Sequence, residues 1–206
     1  DVDRSLIADL NASVRSALGR DLPVCAPKEV MEPGGLRVNE EGRSRPLLLL
    51  GDINNNRALL PLYSRLSDAC DAKYPGGDGY VLRTVVNPWG TGHNCVIIGG
   101  STMEGIRRGA ARLTEIVRQG APVPLLLGVE TDEALRRRFE ADAAALAPAG
   151  RPDAITHAFV YGFMIDAVKY TWTGIRAYGE RARDALLFLN ERFDGRYHPD
   201  QVTNED

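Results

Sequence analysis

The 206-residue chain has no apolar run approaching the roughly 20 residues that cross a bilayer, so no membrane partner is expected. Cysteine is scarce. Cys25, Cys70 and Cys95 are far apart, odd in number and without a CxxC pair, which argues against a disulfide framework or a zinc site and for free, buried thiols. A surplus of one charge is missing too: 25 Lys and Arg face 28 Asp and Glu for a net charge of −3, which implies no nucleic-acid partner. Nor does the chain carry a GKS or GKT sequence, GxGxxG, HExxH, EF-hand spacing, a Ser–His–Asp order or a close carboxylate pair. No cofactor and no bound metal are expected, and no catalytic residue can be named.

What is present is the 44% hydrophobic, 26% charged composition of an ordinary globular protein, long enough for one large or two small domains. The chain opens at Asp1 without methionine or a basic-then-apolar leader, which suits an excised segment or a processed secretory protein.

Taken in order, Leu6, Leu10, Val14 and Leu18 mark one face of a helix that Gly19 stops. Lys28 to Arg45 reads as a polar loop or small hairpin, and Leu47 to Leu50 as a strand covered on both faces. After Asp52-Ile53-Asn54-Asn55-Asn56, the spacing of Leu59, Tyr63, Leu66 and Cys70 predicts a helix with Pro61 in its first turn. Tyr80 to Val86 is rich in β-formers and pairs with Cys95 to Ile98 across the loop Asn87-Pro88-Trp89-Gly90-Thr91-Gly92-His93-Asn94. Ser101 and Glu104 fit a capping box, ahead of a helix with Met103, Ile106, Ala110, Leu113 and Val117 inward and Gly120 at its end. Val123 to Val129, with Pro124 inside it, is an edge strand or connector.

Composition changes after Glu130. Thr131 caps a charged helix reaching Leu146, in which Arg136, Arg137 and Arg138 spread around a solvated surface. The run 147–152 is a linker, followed by helices near 154–172 and 177–192, the second turning Tyr178, Ala182, Ala185, Leu186 and Leu189 inward. The expected fold is α/β (α+β), a small mixed sheet flanked by helices over residues 1–130, then a helical segment over 131–206. A helix pair alone buries little, so it is expected to pack on a neighbour, dimerise or open a larger helical array, with the polypeptide continuing.

Three groups of residues have chemistry beyond packing. In the loop, Trp89 can stack on a pyranose while Asn87, His93 and Asn94 hydrogen-bond to it; the plainer reading is a plugged hairpin whose asparagines satisfy the turn. Asp52 and Asn54 lie at the C-terminal end of a strand, where open α/β sheets bind ligands, although helix capping explains them as well. Together with Arg83 and His93 they would make the site of a self-contained enzyme on a small sugar or sugar phosphate. His157 and Tyr161, four apart on one helix face, can act as a proton donor and acceptor in a groove, or simply pack. The turn Gly99-Gly100-Ser101 is a weak anion signal.

The segments LGRDLPV, LLLLGD, GYVLRTV and VIIGGSTMEGIRRGAARLTEIV resemble the small α/β domain that precedes the catalytic domain in family 20 hexosaminidases and α-glucuronidases. The matching glycines are Gly99, Gly100 and Gly105. A second stretch, Tyr170, Thr173, Gly174 and Tyr178, is similar to the helical hairpins that open the α/α toroid of heparinase-like polysaccharide lyases and related hydrolases. The two resemblances imply the N-terminal portion of a carbohydrate-active protein, a glycoside hydrolase or lyase acting on polysaccharide. In it this chain supports a following helical catalytic domain or another subunit, and its Trp89–His93 loop offers a contact to sugar. They favour a secreted or periplasmic location. The other expectation is a non-enzymatic interaction module.

Overall fold

A computed structural model describes residues 4–119, 125 and 127–193, which fall into two compact units divided after Leu135. The fold is α/β: a small mixed sheet flanked by helices, then a helical segment. In the first unit, α1 (Arg4–Leu18) buries Leu6, Leu10 and Val14, and Gly19 leaves it in a left-handed turn at φ 69°. Strands β1 (Leu47–Gly51), β2 (Tyr80–Val85), β3 (Cys95–Gly99) and β4 (Leu127–Glu130) form one sheet in the order β1-β3-β2-β4. β1 runs parallel to β3, while β2 is antiparallel to both β3 and β4. The expected edge strand is therefore present; Gly120, Val123 and Pro124 lie outside the described residues.

Side-chain alternation divides the sheet into two apolar faces. Leu48, Leu50, Tyr80, Leu82, Val96 and Ile98 pack against α1 and α4 (Met103–Arg118). Leu49, Val85, Cys95 and Ile97 face the opposite way, onto Val38, Leu59 and Leu62. The 28–45 segment makes the small hairpin, bridged at Met31 and Val38, and ends in the single turn α2 (Glu40–Arg43) capped by Asn39. Helix α4 sits close to the sheet because of its glycines. A Cβ at Gly105 would lie 2.1 Å from the Gly79 carbonyl oxygen, and one at Gly109 would lie 2.8 Å from Ile98 Cγ2.

Three local expectations change. The helix read from Leu59 to Cys70 is only a 3₁₀ turn at Arg57–Leu59 and one α turn, α3 (Leu60–Tyr63). Leu66 swings to φ 58°, and the Asp68 and Asp71 carboxylates take the following backbone N–H groups, offering the chain a route other than helix. The cap of α4 is Thr102, whose Oγ1 accepts from Gly105 N at 3.1 Å. Ser101 instead ties down the 71–76 loop, donating to Asp71 O at 2.8 Å and accepting from Gly76 N at 3.0 Å; Glu104 pairs with Arg107 at 3.7 Å. Asp132, not Thr131, accepts from Leu135 N at the start of α5 (Glu133–Ala144).

In the helical unit, α6 (His157–Thr173) and α7 (Arg176–Phe193) form an antiparallel-type hairpin joined through Gly174 at φ 67°. Gly179 admits the Tyr170 ring, which a Cβ there would meet at 2.9 Å. Tyr178, Ala182, Ala185 and Phe188 are buried, and Tyr178 Oη donates to Asp142 Oδ2 at 2.9 Å on α5. Leu186, read as inward, is 52% exposed, because it follows Ala185 by about 100° around the helix.

Candidate functional site

The β2–β3 loop is held by its own polar groups. Asn87, at φ 43°, accepts from Gly92 N at 2.8 Å through its side chain, and Asn94 Oδ1 accepts from Asn87 N at 3.1 Å. Thr91 Oγ1 donates to Arg43 O at 2.6 Å, and Arg65 Nη1 donates to Pro88 O at 2.9 Å. Trp89 packs on the apolar cluster of the second sheet face, with Nε1 buried and unpartnered among the described residues. His93 is half-buried in the same loop.

Asp52 is buried directly after β1. Its Oδ1 accepts from Asn54 N at 2.7 Å and Asn55 N at 3.2 Å, while Asn55 Oδ1 accepts from Asp52 N at 3.0 Å. Asn56 caps the next turn, and the Asn54 residue is exposed. The α4 N-terminus is also taken up: Thr102 Oγ1 donates to Gly77 O at 3.0 Å, and Gly105 abuts Gly79.

The strand register separates these groups. Leu47 and Val85 pair with Cys95 at one end of the sheet, whereas Gly51 pairs with Gly99 at the other. The two ends are about 13 Å apart along the strands, at ~3.3 Å per residue, with Asp52 and Asn54 following one end and Trp89, His93 and Asn94 preceding the other. Arg83 sits between the ends, paired with Ile97 and Leu127.

Around Arg83 the tertiary structure assembles a group that no sequence motif announces, Asp68, Cys70 and Tyr74, with Cys95 joined to it through Asp68. Burial pushes the Asp68 carboxyl up, opposed by hydrogen bonding at Cys70, whose N–H reaches Asp68 Oδ1 at 3.3 Å, and by the Arg83 charge. Burial likewise raises the Cys70 and Cys95 thiols and the Tyr74 phenol, and lowers Arg83. Asp68 Oδ2 and Arg83 Nε and Nη1 are all shut away without a hydrogen-bond partner. The only hint in the sequence is a lone arginine inside a run of β-formers.

In the helical unit, the His157 and Tyr161 rings lie 6.3 Å apart on exposed positions of α6. Asp166, by contrast, is buried and paired with Arg181 at 3.0 Å. The Tyr178 phenol is raised to about 12, first by burial and then by its bond to Asp142. Among the described residues no group of three or more His, Cys, Asp or Glu is arranged to hold a metal, and no helix is long and apolar enough to cross a membrane. An open groove of about 600 Å³ between α1 and α4, lined by Leu6, Leu10, Ala110 and Arg118 among others, contains none of the candidate residues.

Compared with known proteins, the chain matches no family model, no curated protein and no solved structure.

Proposed function

We propose that this chain is the N-terminal portion of a carbohydrate-active protein working on polysaccharide, a glycoside hydrolase or lyase. The α/β unit acts as an accessory scaffold, and α5 to α7 belong to a larger helical domain or meet another subunit. The observation that supports the helical-domain part of this reading is the surface of α6. Phe159 and Asp166 turn toward α7, while Tyr161, Met164 and Ile165 on the far side are 62%, 50% and 53% exposed. A helix apolar on both sides suits the interior of a helical array. The spending of Asp52, Asn87 and Asn94 on their own turns supports a structural role for the α/β unit, leaving His93 as its loop group for contact with sugar.

Polysaccharide turnover and oligosaccharide binding, measured on this chain and on the polypeptide encoded by the full reading frame, test the proposal. Turnover by the chain alone would remove the accessory role. The same exposed α6 residues favour a second reading, an interaction module that pairs with another protein. A concentration-independent monomer by light scattering, with no binding of a hydrophobic dye, would eliminate it.

A further inference from the structure

Among the described residues, Arg83 puts a permanent charge into the sheet without a hydrogen-bond or ion-pair partner. Its guanidinium does not lose its proton at any ordinary pH. No described residue bonds to it or pairs with it, and Nε and Nη1 are closed off. The third nitrogen, Nη2, is neither bonded nor among the closed-off atoms, and the residue as a whole is only half-buried. Nη2 is therefore the guanidinium nitrogen left for a ligand. The side chain springs from β2 between β3 and β4, with Ile97 and Leu127 as its register partners, so its base is fixed by the sheet. Asp68 acts on it through space but forms no ion pair with it, and keeps an unpartnered oxygen of its own. Burying an incompletely neutralised ion costs stability, and such groups are concentrated at functional sites.

We propose that Arg83 is an anchor for a carboxylate ligand, received at Nη2 on the second face of the sheet. With Nε and Nη1 closed off, Nη2 can give one carboxylate oxygen a charge-assisted hydrogen bond. A monoanion is selected over a phosphate dianion because the neighbouring Asp68 repels the second charge. This inference stands apart from the proposed function and can fail without it.

The test uses the whole chain. The Arg83 Nε–H signal, assigned by its loss in Arg83→Lys, is followed by ¹⁵N NMR during titration at constant ionic strength with acetate, glucuronate, inorganic phosphate or glucose. Both carboxylates should shift the signal saturably, with phosphate at least tenfold weaker and glucose inert. Tighter binding of glucuronate than of acetate assigns the carboxylate to an acidic sugar, whereas equal binding assigns it to free acids. Asp68→Asn should tighten acetate roughly fivefold by removing a nearby like charge. If that variant does not fold, the titrations of the unaltered chain decide alone. The proposal is overturned by no saturable shift with either carboxylate, by an equal response to chloride, or by phosphate binding more tightly than acetate.

Discussion

Replacing Gly105 by alanine isolates the contact that seats α4 on the α/β unit. In an open helix this change stabilises by about 1 kcal/mol, because alanine loses less backbone entropy than glycine. Here the new Cβ would stand 2.1 Å from the Gly79 carbonyl oxygen and 3.2 Å from its carbon. The obstacle is backbone, so α4 must retreat by about 1 Å and loosen the packing of Ile106, Ala110 and Leu113. Overpacking of this kind costs up to about 3 kcal/mol. The net expectation is a loss of about 2 kcal/mol, or roughly 6–8 °C in the melting of a unit of this size. Gly162 in α6 is the control, since a Cβ there meets nothing within 4 Å. Gly162→Ala should stabilise the helical unit by up to about 1 kcal/mol. The chain has two tryptophans, Trp89 in the first unit and Trp172 in the second, so urea unfolding of Trp172→Phe and Trp89→Phe backgrounds reads each unit by fluorescence. An unchanged or higher midpoint for Gly105→Ala would refute the close approach. So would an equal loss at Gly162.

Other consequences are as direct. In the native protein one thiol, exposed Cys25, should react with Ellman's reagent, forming a mixed disulfide and releasing one equivalent of thionitrobenzoate, with Cys70 and Cys95 reacting only on unfolding; fast reaction of all three contradicts the burial. The Asp68 carboxyl is raised in the folded state above 3.8, so the native chain holds its proton longer than the unfolded one, and stability falls as pH climbs from that value to the native pKa. Asp68→Asn should flatten this part of the urea-stability profile, and an identical slope in the variant would count against the buried carboxylate. Arg181→Met strips the partner from buried Asp166 and should cost the helical unit about 2–3 kcal/mol, at or below the low end for buried pairs because Arg181 is 31% exposed. A change under about 0.5 kcal/mol, followed at Trp172, would show that Asp166 finds other solvation.

The sequence by itself determined the elements whose signal is local and repeated. The apolar run at Leu47–Leu50, the β-formers of β2, the four-residue spacing in α1 and the stripe along α4 each answer to one period, and each element formed. It also signalled Asn87 and Asn94 as turn residues, because short amides bond to nearby backbone. Tertiary structure decided what periodicity cannot encode. The helix pattern from Leu59 to Cys70 yielded to competing carboxylate–backbone bonds at Asp68 and Asp71. The strand order placed Asp52 and His93 at opposite ends of the sheet, although both lie in loops of the same small unit. The same fold carried Arg83 of β2 over to Asp68, Cys70 and Tyr74 from a loop well before it, and brought Asp68 to Cys95 of the next strand. Such a cluster has no spacing along the chain, because its members meet only once burial has closed the second face of the sheet around them.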